Sequence, residues 1–277
     1  MFLSLIGNKI KKPFANLICS FVPSRELRHK IRHALCKFRP LINGANNHIV
    51  VVSEAGEEMI DKFHKIPGEL KIRINGDNNT IKLFLPLARI NGYITLGEPG
   101  YKTNNSAVEI QSSKSVFNFG ILSFGGENQV IKIGKNLTVW DIHITTICNG
   151  SLIIGDDCLF SSNILIRLDD GHTVFDRDTK SVVNKQKNPL VIGNHCWIGE
   201  GVRINKNARI PSDTVIGNGS VVSGKFIEEF TAIAGNPAKV VKTGIGWDIR
   251  DTLRFEKYNN SHLTNQNFLC RVANSRR

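Results

Sequence analysis

This 277-residue chain is poor in the residues that would make several functions easy to assign. Its six cysteines (Cys19, Cys36, Cys148, Cys158, Cys196 and Cys270) show no paired spacing and no C-x-x-C, which excludes a disulfide framework and argues against a structural zinc site. No apolar run approaches 18 residues, so no membrane-spanning helix is expected. The N-terminus does not place its charge ahead of an apolar stretch followed by small residues, which is the order a secretory signal needs. The net charge of +12 is missing from the middle of the chain. Residues 1–40 carry nine Lys/Arg against Glu26, residues 242–277 carry seven against three acids, and residues 41–241 sum to zero. A nucleic-acid groove needs basic residues along the body with interleaved aromatics, and this body has neither.

What is present is a period. In "VIGNHCWIGEGVRINKNARIPSDTVIGNGSVV", residues 191–222, the residues Ile192, Ile198, Ile204, Ile210, Ile216 and Val222 fall six apart. Four residues after each stands a mostly small side chain: Cys196, Val202, Ala208, Thr214, Ser220 and finally Phe226. Helical amphipathicity wants 3.6 and a half-buried strand wants 2, so six is one short strand plus a turn. Three such units close one triangular coil of about 18 residues, and stacked coils form a parallel β-helix with the aliphatic residue filling a narrow prism. Cys158 and Cys196 fall in the small-residue slot and are expected to be buried thiols in a reducing compartment.

A looser repeat precedes the regular one. "GANNHIV", "GDNNTIK" and "GGENQVIK" share a Gly followed by Asn, and Asn46, Asn78 and Asn128 suit turns with positive φ. The β-helix is therefore expected to begin near residue 43 and to contain nine or ten coils, ending near residue 242. Residues 1–42 form a separate basic segment. Within it Ser24 can cap a helix whose apolar stripe is Leu27, Ile31, Ala34, Leu35 and Phe38, with Arg25, Arg28, Arg32 and Lys37 off the stripe. That helix either docks on an anionic membrane surface or a partner such as a glycosyltransferase, or covers the open end of the β-helix. In the C-terminal extension, residues 243–277, "DIRDTLRFEKY" is expected to form a helix over the last coil.

One stretch breaks the beat. Ile154, Phe160 and Ile166 keep the six-residue spacing, but the next anchor is Ile192. The polar residues 167–190 must leave the coil as a loop, and long loops on rigid scaffolds concentrate function. The loop contains a single histidine, His172, inside "DDGHTVFD". His143 and His195 have bland readings as an outward polar residue and as surface decoration beside a turn.

The hexapeptide array, the ejected loop with its lone His, "NPLVIGNHCWIGEGV" and "AGNPAKVVK" together resemble the left-handed β-helix acyltransferases, in particular bacterial O-acetyltransferases acting on sugars of surface polysaccharides, sialic acid included. The resemblance covers residues 130–242 firmly and 43–130 loosely. Left-handedness is implied by the resemblance alone, because parallel crossovers are otherwise right-handed. It implies acetyl-CoA as donor, no metal, a cytoplasmic homotrimer and a sugar or polysaccharide acceptor. A sugar hydroxyl is a poor nucleophile near neutral pH, so its attack on a thioester needs a base, and His172 is the candidate. Backbone N–H groups at a coil corner would hold the oxyanion. Asp170 either orients the imidazole or forms a turn. Trp197 would wall the acyl and acceptor site, while Gly201, Asn218, Ser223 and Lys239 would contact coenzyme A, Lys239 through its charge on phosphate. One departure is that Ser223-Gly224-Lys225 follows "GSVV" where many relatives have Thr-Lys.

Two other classes remain open at this level. A γ-type carbonic anhydrase on the same scaffold would need three histidine ligands, and His143, His172 and His195 are scattered and unpaired. A non-catalytic scaffold would not need the intact "GHTVFD" loop.

Overall fold

The computed structural model describes residues 40–59, 68–87 and 90–258. The helix expected before residue 42 lies outside them, as does the tail after residue 258. The chain enters the described part through β1 (Leu41–Asn43), β2 (His48–Ser53), β3 (Gly56–Met59), β4 (Gly68–Asn75), β5 (Thr80–Phe84) and β6 (Ile90–Leu96). It continues through β7 (Thr103–Asn104), β8 (Ala107–Ile110), β9 (Ser113–Ser123), β10 (Gly126–Glu127), β11 (Val130–Ile133), β12 (Leu137–Thr146) and β13 (Ser151–Ile154). Then follow β14 (Leu159–Phe160), β15 (Ile164–Arg167), β16 (Leu190–Ile192), β17 (Trp197–Ile198), β18 (Arg203–Ile204), β19 (Arg209–Ile210), β20 (Val215–Ile216) and β21 (Val221–Val222). A final hairpin, β22 (Thr231–Gly235) and β23 (Ala238–Thr243), closes the stack.

Almost every pairing is parallel and joins one coil to the next. One face runs β1-β4-β6-β9-β12-β14-β17-β20-β22, nine levels in all, within the nine or ten expected. The opposite face runs β2-β5-β8-β11-β13-β16-β19. The first coil opens at Leu41, two residues before the sequence suggested. Two pairings are antiparallel and close hairpins: β2 with β3, which the repeat pattern did not foresee, and β22 with β23.

The coils tighten along the chain. Pairing of Ile49 with Ile81, Val108, Ile131 and Leu152 in turn means steps of 32, 27, 23 and 21 residues, and the regular coils settle at 18. The cross-section changes with them. The ten-residue β12 pairs with both β14 and β15, so one long strand below becomes two short strands above, separated by a corner. The three-sided hexapeptide coil is thus the compact end of a structure that starts broader.

Register turns the period into columns. Ile72, Ile94, Ile121, Ile144, Ile166, Ile204 and Val222 are successive partners and all are essentially inaccessible. A second column links Leu83, Ile110, Ile133, Ile154, Ile192 and Ile210, and a third links Val116, Val139, Phe160, Ile198, Ile216 and Ile233. β-Branched side chains suit both the strand and the stack. Cys158 and Cys196 sit buried side by side in the small-residue slot, as expected.

Corners form columns too. Asn46, Asn78, Asn105 and Asn128 all have φ between 51° and 57°, and Asn46 donates to Asn78 at 3.1 Å and Asn78 to Asn105 at 3.0 Å. Asparagine tolerates this conformation and its side chain ladders to the next coil. A different corner stacks Asn136, Asp157, His195 and Asp213, again with positive φ. Gly126 shows how little slack exists, because a Cβ there would lie 1.3 Å from the Cys148 carbonyl oxygen.

Replacing Ile204 with Ala empties one column position between Ile166 and Val222, and denaturant unfolding should show a loss of about 2–5 kcal/mol. The neighbouring outward Arg203→Ala should change stability by less than about 0.5 kcal/mol. Equal effects of the two would contradict the column as the source of stability.

Candidate active site

The loop leaves the coil where β15 ends and returns where β16 begins, matching the expected residues 167–190. Leu152 and Leu190 remain register partners 38 residues apart, so a 20-residue excursion is added to an 18-residue coil without disturbing the stack. Asp169 ties the exit down. Its Oδ2 accepts from Thr146 Oγ1 at 2.8 Å, Ile147 N at 2.7 Å and Cys148 N at 3.0 Å, and its Oδ1 accepts from Gly171 N.

Asn184 staples the two limbs of the loop together. Its side chain donates to the His172 carbonyl and to Asp170 Oδ2, both at 2.8 Å, and accepts from Val174 N at 2.8 Å. Lys206, from the next coil, donates to the Asn184 carbonyl at 2.6 Å and pairs with the Asp170 carboxylate. The Lys206 hydrogen bond is the main reason the Asp170 carboxyl lies below its ordinary value, helped by Asn184 and opposed by partial burial. Beyond the staple Phe175 bridges Val182, and Asp176 closes the tip by accepting from Asp178 N and Thr179 N. His172 is therefore exposed on a hairpin whose backbone is held against the scaffold. Asp170 does not orient the imidazole here. Its carboxylate is occupied by Lys206 and Asn184, neither of which sequence proximity to His172 could reveal.

Trp197 lies on β17 in the outward column Thr138, Leu159, Trp197, Val215 and Ala232, and is 38% exposed. Its Nε1 donates to Ser161 Oγ at 3.5 Å in the coil below. Its other neighbour comes from the C-terminal extension: the Trp247 ring lies 6.2 Å away, tilted by 44°. Trp247 is itself fixed on His195, stacked at 4.4 Å and donating Nε1 to the His195 carbonyl at 2.7 Å. His195 is thus no surface decoration. It takes a positive-φ corner position, pairs through Nδ1 with Asp213 at 2.8 Å, and anchors the returning chain. The strap continues through Asp248, whose carboxyl is lowered to about 2 chiefly by the Arg250 hydrogen bonds, and Arg250 lies over the Tyr258 and Phe255 rings. Residues 252–258 are helical, and the extension leading to them docks on the side of the stack at His195. A shallow cleft of about 290 Å³ beneath the strap is lined by Lys114, Asn136, His195, Trp247 and Asp248.

Within one chain His172 and Trp197 belong to different edges. Trp197 lies before the corner that precedes β18, whereas the loop departs after β15, at the far end of that second face. Four residues of strand, about 13 Å, separate those edges. The four remaining candidates are also spread. Gly201 and Asn218 sit at the β17–β18 and β20–β21 corners of adjacent coils; Gly201 N donates to the Ser162 carbonyl and Asn218 Oδ1 accepts from Glu200 N, each at 3.0 Å. Ser223 lies one corner on, accepting from Asn205 Nδ2 at 3.0 Å, and Lys239 is exposed on β23. Among the described residues no group of three His, Cys, Asp or Glu is arranged to hold a metal ion, and no helix is long and apolar enough to cross a membrane.

A scan against family models matches none. Individual proteins do match. The polySia-specific acetyltransferase NeuO superposes with a TM-score of 0.60 at 24% identity, over 83% of this chain and 99% of that one, and the polysialic acid O-acetyltransferase OatWY with 0.51 at 23%, over 76% and 91%. These likenesses define the fold as the left-handed parallel β-helix of hexapeptide repeats. By sequence, the polysialic acid O-acetyltransferase of Neisseria meningitidis is 30% identical over 177 residues, 64% of this chain and 79% of that protein. That of Escherichia coli O1:K1 / APEC is 33% identical over 104 residues, 38% of this chain and 33% of that protein. The chain belongs to the family of the hexapeptide-repeat O-acetyltransferases that includes the polysialic acid enzymes. It spans between a third and about half the length of the first two curated relatives it matches.

Lys206→Ala and Asn184→Ala should each free the loop, seen as proteolytic cleavage within residues 168–189 at protease levels that leave the parent intact. Because the folded pKa of Asp170 is depressed, its contribution is fully present above the ordinary aspartate value of about 3.9 and is lost as pH falls through the lower folded value. The loop should therefore resist cleavage from neutral pH to about pH 5 in the parent. Cleavage rates independent of both substitutions would refute the staple.

Proposed function

We propose that the chain transfers an acetyl group from acetyl-CoA to a sugar hydroxyl of a bacterial surface glycan, with sialic acid polymers the favoured acceptor class. The observation that carries this reading is the exposed His172 on a loop held to a hexapeptide β-helix, in a chain related along 64% of its length to a polysialic acid O-acetyltransferase. His172 accepts the hydroxyl proton as the oxygen attacks the thioester carbonyl carbon. The carbon–sulfur bond then breaks, and the imidazolium returns the proton to the departing thiolate, leaving the acetyl ester and free coenzyme A. No covalent enzyme intermediate is needed. Trp197 supplies a flat apolar wall beside the acyl group and acceptor.

Coenzyme A would lie along the coils after Trp197, near Gly201, Asn218 and Ser223, with Lys239 facing phosphate. Three of these already make internal hydrogen bonds, so their contribution would be shape and the remaining donor capacity of Asn218 and Ser223. The different edges occupied by His172 and Trp197 support a homotrimer in which the loop of one subunit faces the Trp197 edge of the next. The acetyl-CoA requirement favours a cytoplasmic site of action. The basic residues 1–40 would then bring the enzyme to the inner membrane surface or to a glycosyltransferase.

His172→Ala should lower turnover by at least about 100-fold, as expected for loss of a general base. Turnover kept within about tenfold would sink the assignment. A mixture of His172→Ala and Trp197→Ala chains, refolded together, should regain part of the activity if the residues meet across an interface. Light scattering that finds an active monomer would overturn the trimer.

A further inference from the structure

On the long strands below Trp197 the outward residues form a patch that the fold does not require. Alternation along β6, β9 and β12, together with their register, creates two neighbouring columns: Asn91, Asn118 and Asp141 in one, Tyr93, Gly120 and His143 in the other. Gly120 is the notable member. Any Cβ there would lie 2.7 Å from the Tyr93 ring and 2.8 Å from His143 Nδ1. The two rings use the gap to meet across a whole coil. Tyr93 Oη and His143 Nδ1 are 3.2 Å apart, and the ring centroids are 6.2 Å apart at 33°. On its other side His143 Nε2 lies 3.6 Å from Asp141 Oδ1. Partial burial and the Asp141 charge both raise the Tyr93 pKa, so its hydroxyl stays protonated.

The same strand turns its corner at Trp140, whose side chain is 57% exposed next to Asp141. An exposed indole beside a carboxylate, an imidazole, a phenol and two amides offers one apolar face and several donors and acceptors at fixed spacing. That is the chemistry that holds a pyranose, whose C–H face stacks on an aromatic ring while its hydroxyls pair with polar groups. The patch also connects to the candidate active site. Ser161, one coil above, accepts from Asp141 N through its carbonyl at 3.3 Å and from Trp197 Nε1 through its hydroxyl at 3.5 Å. Trp140 and Trp197 are therefore two coils apart on the same edge, about 10 Å at the spacing of paired strands. One monosaccharide does not span that distance, whereas an oligomer does.

We propose that Tyr93, Trp140, Asp141 and His143 form a second carbohydrate subsite, which holds one unit of an oligomeric acceptor while another unit lies at Trp197. The proposal rests on the reading of the chain as a glycan O-acetyltransferase with a polymeric acceptor, and it adds which residues hold a second unit of that polymer. Gly120 serves the subsite by letting the Tyr93 and His143 rings close on each other. The patch carries a single acid and no Lys or Arg in its two columns, so it binds through hydroxyl groups and ring faces more than through charge.

The test compares free sialic acid with a sialic acid oligomer several units long as acceptors of the full chain, at saturating acetyl-CoA. The parent should prefer the oligomer in kcat/KM, and Trp140→Ala should cut that preference by about tenfold, equivalent to 1.4 kcal/mol. Tyr93→Phe, which removes only the hydroxyl, should cut it in the same direction with an unchanged thermal melt. A preference unaltered in both variants overturns the subsite. Calorimetry with the oligomer and no acetyl-CoA judges it separately from catalysis: weaker binding in Trp140→Ala than in the parent supports it. Binding equal in both, or undetectable in the parent, overturns it even if the chain is an acetyltransferase. A parent that binds the oligomer but turns over neither acceptor refutes the enzymatic reading alone.

Discussion

Everything in this molecule depends on keeping register from one coil to the next. Each strand satisfies its backbone through the strands above and below it, and each inward aliphatic residue sits on its counterpart one coil away. A single-residue slip would break the hydrogen bonds and turn the interior columns outward at once, since side chains alternate along a strand. This constraint explains why the chain can leave at Arg167 and return at Leu190, lengthening the coil by 20 residues, with the register of Leu152 and Leu190 kept. Additions are tolerated at corners, where the chain already faces solvent, and not within the strands.

The same constraint governs where chemistry can be placed. Interior positions are committed to packing, so only the outward columns, the corners and the excursions are free to vary. On the proposed reading His172 would use an excursion and Trp197 an outward column, while Asp213 with His195 uses a corner to anchor the returning chain. Loop flexibility would ordinarily blunt a catalytic group, because the base must be positioned to tenths of an ångström. Here Asn184 and Lys206 counter it by tying the loop back to the next coil. The loop gains reach and keeps a defined origin.

The regular coils were legible in the sequence because an aliphatic anchor and a small residue recur every six positions to fill the interior, and Ile192 through Val222 repeat the anchor without a slip. The earlier coils were less so. At 32 to 21 residues each, their anchors drift relative to one another, and only the Gly-Asn turns of Asn46, Asn78 and Asn128 marked them. The loop limits were readable from the broken beat, but its staple was not. Asn184 and Lys206 look like ordinary polar residues until register places Lys206 at the mouth of the loop. His195 was misread for a similar reason, since its partners are Asp213, one coil on, and Trp247, 52 residues away. In a stack of coils, sequence distance and spatial distance coincide only modulo the coil length, and that length varies.

Departures from the column rule then become informative in themselves. A column tolerates any outward residue, so a glycine flanked by two rings that touch across it is a position where the backbone has been cleared for a side-chain contact. Gly120 between Tyr93 and His143 is such a case, while Gly126 is forced by a neighbouring carbonyl and serves the turn alone. The two glycines look alike in the sequence. What separates them is the nature of the atoms a methyl group would strike: backbone at Gly126, aromatic and imidazole side chains at Gly120. The first kind preserves the coil, and the second shapes a surface. The long strands β6, β9 and β12 carry the second kind, so on the proposed reading recognition would fall to the broad lower coils and the reaction to the narrow upper ones.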